Sequence, residues 1–270
     1  MRTRRIRLVA IALCALGAGG FGAAARSAAP SPARVEVDAV DDAYVMPSLV
    51  KGGVVAMRFR NRGKELHEFA FGRIDKGHTF AEAVQAFDQG TEAAWFHDLG
   101  GPGLLTPGAE ITITRTLPAG TYFFIDAVPN TKGVPHYKLG MARSFTIAGN
   151  SGAELPKATA VITAEKTRFA VPQLRAGLQT IELRNRAGSG RGFQLVTLNH
   201  GKTEADAKRW AHSIESTGKL PPGPMPMTFL GAMQTIPNDT SVYLTVNLQA
   251  GRRYHLSDDE SGIKADFTPR

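Results

Sequence analysis

Residues 44–62 read YVMPSLVKGGVVAMRFRNR, and residues 169–186 read FAVPQLRAGLQTIELRNR. Both stretches give an aromatic residue, a proline three positions on, a basic residue with glycine, an alternating apolar run and then Arg-Asn-Arg. Later signals follow in the same order. Gly77-His78-Thr79 before Ala81-Glu82-Ala83 matches Gly201-Lys202-Thr203 before Ala205-Asp206-Ala207, and Leu117-Pro118-Ala119-Gly120 matches Leu248-Gln249-Ala250-Gly251. Self-similarity at this period restricts the chain to two copies of one supersecondary plan. The expected units are 34–149 and 157–270, meeting near Gly149-Asn150-Ser151-Gly152. The spacer down to Pro156 is too short to let them separate, so they should pack together.

Within each half the apolar period is mostly two. Val54–Phe59, Ile111–Thr116, Tyr122–Asp126 and Gln179–Leu183 alternate, with Gly and Pro clusters between them. Short strands punctuated in this way predict an all-β antiparallel sandwich. One helical insert interrupts each half. Thr79–Phe87 carries Phe80, Val84 and Phe87 at helical spacing, and Thr79 with Glu82 has the form of a capping box. Thr203–Ile214 repeats the device, with Trp210 and Ile214 on one face.

The N-terminus is read as a secretory signal over 1–25. Arg2, Arg4, Arg5 and Arg7 precede an apolar, small-residue stretch ending Ala23-Ala24-Ala25. That stretch is too short and too weakly hydrophobic for a membrane anchor, and no later segment is apolar enough to span a bilayer. Thr3-Arg4-Arg5 loosely resembles a twin-arginine signal, a reading ranked below the ordinary secretory route. The expected location is secreted or periplasmic, at the cell envelope. Cys14, the single cysteine, falls inside the leader, so the mature chain has no disulfide, thiolate ligand or cysteine nucleophile. Removing the four arginines reduces 32 basic against 24 acidic residues to 28 against 24. No long basic run remains, which argues against nucleic acid as a partner.

The first half also carries an ordered series of short motifs. They are Asn61-Arg62-Gly63 with His67, Gly100-Gly101-Pro102, Pro107-Gly108, Gly120-Thr121-Tyr122, Gly133-Val134-Pro135-His136 and Gly140-Met141. In this order they resemble the cupredoxin-like, or blue-copper-like, family, in its secreted bacterial branch with a helical insert. The resemblance spans residues 35–148. It implies two tandem cupredoxin-like Greek-key β-sandwiches, the second similar to the family mainly through its match to the first. It also implies a copper site formed by His67, His136 and Met141. The family's cysteine is replaced here by Asp126. Two imidazoles and a carboxylate suit Cu(II) or Zn(II), while the loss of soft sulfur removes a blue electron-transfer centre. Each residue has a plainer reading too: Asp126 as an Asx-turn, His136 as a loop residue, Met141 as core filler.

The second half has lost this set. Aligning Gly192-Phe193 with Glu68-Phe69 puts Arg191 at the position of His67, and the Gly251–Ser257 strand puts Ser257 at that of Asp126. Asp258-Asp259-Glu260 reads as a solvated acidic turn before it reads as a hard-cation site. Met225, Met227 and Met233 suit a packed, Pro-bracketed loop better than a Cu(I) site. His97, beside Trp95 and Phe96, is expected at a rim or interface. The Gly100–Gly103 run lacks a phosphate-loop sequence and is read as a turn. The function expected is an exported, non-enzymatic protein that holds copper for carriage or buffering, with an envelope protein as a further partner. The alternative is a metal-free secreted binding module for a protein or glycan. A two-domain copper oxidase or reductase would need the thiolate and histidines from both halves.

Overall fold

The computed structural model describes residues 29–91 and 93–270; the leader read in 1–25 lies outside them. The first half comprises β1 (Ala33–Val40), β2 (Ala43–Val45), β3 (Leu49–Lys51), β4 (Gly53–Asn61), β5 (His67–Ile74), α1 (Phe80–Asp88), β6 (Phe96–Asp98), β7 (Gly103–Leu105), β8 (Glu110–Leu117), β9 (Gly120–Ile125), a 3-10 turn (His136–Leu139) and β10 (Ala142–Ala148). The second comprises β11 (Ala160–Ala164), β12 (Phe169–Ala170), β13 (Gly177–Asn185), β14 (Arg191–Leu198), α2 (Glu204–Thr217), β15 (Met227–Ile236), β16 (Ser241–Leu248), β17 (Tyr254–Ser257) and β18 (Lys264–Phe267). The alternation read from the sequence sorts side chains as expected. In β4, Val55, Met57 and Phe59 face inward while Arg58 and Arg60 face out, because successive residues of a strand point to opposite faces.

Each half is a two-layer sandwich, and the layers run on across both halves. One sheet has the order β12-β11-β13-β16-β8-β4-β1-β2, the other β18-β17-β14-β15-β7-β5-β9-β10-β3. The first seam pairs Thr112, Ile113 and Thr114 of β8 with Thr245, Leu244 and Tyr243 of β16. The second joins β7 to β15 at Leu105 and Leu230, reinforced by bonds from the Ala232 and Gln234 amides to the Pro102 and Gly101 carbonyls. The Gly100–Gly103 run therefore does more than turn the chain. A side chain on Gly101 would place its first carbon 1.9 Å from the Phe69 carbonyl oxygen, so only glycine lets this segment lie between β5 and β15.

One hydrophobic core follows from the shared sheets. Phe59, Phe69 and Phe124 of the first half belong to the same buried cluster as Leu183, Phe193 and Val246 of the second. Phe124 is fully buried and its ring centroid lies 5.0 Å from Phe71 and 5.5 Å from both Phe59 and Phe145. Both helices have the capping boxes expected of them, Thr79 with Glu82 and Thr203 with Asp206. Phe80, Val84 and Phe87 lay α1 on Ile74 and Phe123. Trp210 and Ile214 lay α2 on Leu66, Val128 and Phe229, so the second half's helix covers residues beside the first half's candidate ligands. No helix among the described residues is long and apolar enough to cross a membrane.

Candidate metal centre

Two segments, the start of β5 and the connection from β9 to β10, meet at one end of the first sandwich. His67 opens β5, Asp126 follows the last residue of β9, and His136 begins the 3-10 turn. All three are buried, at 1 %, 0 % and 2 % exposure. His67 Nδ1 lies 2.8 Å from Asp126 Oδ2, and His136 Nδ1 lies 3.1 Å from the same oxygen. One ligand atom from each residue falls within 4.8 Å of the others. The two imidazole rings are 4.7 Å apart and inclined at 59°. The sequence-expected trio is therefore brought together in space.

The backbone explains why the trio holds its place. The loop from Asp126 to Met141 is laced to itself. The Asp126 amide donates to the Met141 carbonyl (3.0 Å), His136 to Val128 (3.0 Å), Tyr137 to Asp126 (2.8 Å) and Met141 to His136 (3.1 Å). The Met141 side chain is fully buried in the main core, and its main chain frames the site from both ends of the loop. The Asx-turn reading of Asp126 also holds for one of its oxygens, since Oδ1 accepts the Val128 amide at 2.9 Å. From the second half, the Leu220 amide donates to the Asn130 carbonyl at 3.2 Å, tying the loop to the segment after α2.

Sequence reasoning missed the polar groups behind the imidazoles. Glu65 Oε2 sits 2.8 Å from His136 Nε2, and Asp41 Oδ1 sits 3.9 Å from His67 Nε2. The Glu65 carboxylate on the far nitrogen fixes the His136 ring and raises its basicity, whereas Asp41 is too distant to hydrogen-bond His67 Nε2. Glu65 lies two positions before His67, but nothing in the sequence links it to a ring 71 residues away. The closeness of Asp41 depends on Gly63, where a side-chain carbon would stand 2.6 Å from His67 Nε2 and 2.7 Å from the Asp41 oxygen. Burial acts to lower the His136 pKa and is the largest single influence. Asp126 and then Glu65 overcome it, and the net shift is upward.

The donor set fits a divalent cation. Two imidazole nitrogens and a carboxylate converge at a buried point, and His136 Nδ1, though near Asp126, has no hydrogen-bond partner of acceptable direction. Glu68, next to His67, has the opposite problem. Its carboxylate accepts the Ala127 amide and the Gln234 side chain but has no cation beside it. Burial first, and the Asp126 charge second, push its pKa up to about 7 from 4.5. An acid with a raised folded-state pKa holds its proton longer folded than unfolded. Its contribution is therefore intact below pH 4.5 and is lost as pH rises to about 7. Chemical denaturation across this range should show that loss, roughly 2–3 kcal/mol, in the wild-type chain and its absence in Glu68→Gln.

The second half corrects the sequence alignment by one residue. Ile125 pairs with Ala70 in the first half, and Ser257 pairs with Gln194 in the second. Since Ala70 and Gln194 occupy matching positions, Asp258, not Ser257, corresponds to Asp126. One extra residue separates Gly251 from Tyr254 compared with Gly120 and Tyr122, and this slips the alignment. The spacing Tyr122-x-x-x-Asp126 against Tyr254-x-x-x-Asp258 carried the signal. Asp258 is buried at 2 % exposure, so the acidic turn is not wholly solvated. It accepts the Gly192 amide at 3.1 Å, and Arg191 Nε stands 3.6 Å from its other oxygen. A guanidinium thus takes the place that His67 holds in the first half.

Other sequence candidates resolve as packing or surface chemistry. Met225 and Met227 lie in the cluster under α2, while Met233 is in the main core, so the three do not form one sulfur site. His97 pairs with Asp75 at 2.8 Å on the rim. A second donor cluster, Glu204, His255 and Asp266, is partly exposed, and Asp266 is already bonded by Arg253, which supplies the positive charge a metal would bring.

No protein-family description matches the chain, and no curated protein does. Among solved structures it is similar to reduced auracyanin from Roseiflexus castenholzii, at 22 % identity over 43 % of this chain and 96 % of that one, with a TM-score of 0.31. Auracyanin A, a "blue" copper protein from Chloroflexus aurantiacus, is similar at 21 % identity over 44 % of this chain and 100 % of that one, TM-score 0.32. A multicopper oxidase is similar at 13 % identity over 88 % of both chains, TM-score 0.27.

Proposed function

We propose that this chain is an exported, non-enzymatic, cupredoxin-like protein that holds one copper ion for carriage or buffering at the cell envelope. His67, Asp126 and His136 would hold the ion, with Met141 closing the loop behind it. The observation that carries this reading is the convergence of both Nδ1 atoms on one buried Asp126 oxygen. A bound Cu(II) would supply positive charge beside the buried carboxylate and two neutral imidazoles. Hard oxygen in place of sulfur disfavours Cu(I), which supports storage over rapid electron transfer. The Arg191–Asp258 pair in the second half supports a structural role there, since a guanidinium satisfies the acid without metal. Export rests on the leader-like sequence of residues 1–25.

A titration with Cu(II) followed by dialysis and EPR tests the proposal. The expected result is one retained equivalent per chain with no intense blue colour. His136→Ala should weaken retention by more than about 100-fold, since even outer-shell partners of a metal site are worth 10- to 100-fold. Near-zero stoichiometry, or retention unchanged in His136→Ala, would remove the site.

One observation favours the metal-free alternative. Both Asp126 oxygens already have protein donors, the Val128 amide and His67. In that reading His136, whose pKa Asp126 and Glu65 raise, balances the carboxylate when protonated, and the sandwich presents its loops to an envelope protein or glycan. Capture of such a partner that persists after thorough chelation would favour it.

A further inference from the structure

Next to the imidazole trio, two cavities open beside the seam between the halves. The first is an aromatic slot of about 250 Å³ walled by Phe87, Phe96 and Phe123. The second is a basin of about 330 Å³ that gathers Glu68, Asp98, Asp258, Asp259 and Glu260. Glu68, Asp98 and Gln234 line both, so the two carboxylates stand at the junction of slot and basin. No lysine or arginine lines either cavity. Glu68 accepts only the Ala127 amide and the Gln234 side chain, and Asp98 accepts the Gly100 amide. Arg191 is turned to Asp258 at 3.6 Å, and Arg115 donates to the Leu99 carbonyl at 2.9 Å.

We propose that this cleft binds a small organic cation, with a flat apolar body against Phe87 and Phe96 and an ammonium group against Glu68 and Asp98. Two observations define the ligand together. Aromatic faces attract a cation as well as an apolar ring, through their negative quadrupole. The Glu68 carboxylate, partly buried with no cation beside it, is electrostatically costly when charged, and an ammonium offsets that cost, while Asp98 stands at the exposed rim where it adds a second charge-assisted contact. A bare divalent ion fits less well, because it demands six or more oxygens around it and the slot offers hydrocarbon on one side. The slot's volume sets the size at about one aromatic ring with a short chain.

The test is calorimetric titration of the full mature chain with phenethylammonium, with 2-phenylethanol as the neutral isostere and Ca²⁺ as the hard-cation control. Parallel titrations use Cu(II)-loaded protein and the His136→Ala variant, so that failure of the copper site and failure of this one are read separately. The expected result is saturable single-site binding of the amine with a Kd on the order of 10⁻⁴ M, consistent with a ligand of this size. The alcohol should bind at least about 10-fold more weakly, as the charge-assisted bonds are lost. Asp98→Asn, at an exposed position that leaves the core untouched, and Phe96→Ala should each weaken the amine by roughly 10-fold. Equal affinity for amine and alcohol would overturn the proposal. So would affinity unmoved by Asp98→Asn and Phe96→Ala, absence of saturable amine binding, or Ca²⁺ binding at these residues with the amine excluded.

Discussion

Asp126→Cys is expected to turn the copper-loaded protein intensely coloured, where the wild-type chain stays pale. The residue lies directly after β9 with no solvent exposure, and one of its side-chain oxygens is in reach of both Nδ1 atoms. A sulfur there would complete a two-imidazole, one-thiolate set, the donor combination that gives copper its strong visible absorption. The surrounding loop bonds are main chain to main chain, so the substitution leaves them in place. The variant loses the His67 contact to Oδ2 together with the bond from the Val128 amide to Oδ1, the latter at about 1–2 kcal/mol. Copper should restore at least that much once its free concentration exceeds the dissociation constant by about 100-fold. The measurement is the visible spectrum during Cu(II) addition, with circular dichroism to show that the variant is folded. A folded variant that binds copper and develops no intense band would show that residue 126 does not point at the metal, and the proposed donor set would fall with it.

Much of this arrangement was legible in the sequence because it is local. The capping boxes at Thr79 and Thr203 depend on residues three apart, and the alternation in β4 and β13 depends on neighbours two apart. His67, Asp126 and His136 were legible as a set only through ordered motifs, since they lie in three separate elements. What escaped is what depends on tertiary pairing. Nothing in β8 or β16 alone announces that they pair and carry a sheet through both halves. Glu65 and Asp41 reach the imidazoles only after the loops fold over Gly63. The one-residue slip at Asp258 came from trusting glycine in a turn, where insertions are tolerated, above tyrosine in a strand, whose register is fixed by burial.

The matched asparagines offer a comparison in which each half serves as the other's control. Asn61 and Asn185 are both buried, at the ends of β4 and β13. Asn61 Nδ2 donates to the Glu65 and Leu105 carbonyls at 2.8 and 2.7 Å, and its Oδ1 accepts the Gly63 amide at 2.9 Å. Asn185 makes the same three bonds, to Ser189 and Ile236 at 2.7 Å each and from Ala187 at 2.9 Å. Alanine at either position strands three main-chain groups, so each variant should lose roughly 3–5 kcal/mol in chemical denaturation. Their effects on copper should differ. Asn61 pins the loop that carries Glu65 and ends at His67, and loosening it should weaken Cu(II) retention on the order of 10-fold, the scale of outer-shell losses. Asn185 pins the corresponding loop beside Arg191 and Asp258, where no imidazole stands, and Asn185→Ala should retain copper as the wild type does. If both alanine variants lost copper equally, retention would follow global stability alone, and the loop at Asn61 would have no special claim on the site. If neither lost it, His67 would hold its place without the asparagine, and the buried trio would owe its geometry to the Asp126–Met141 loop.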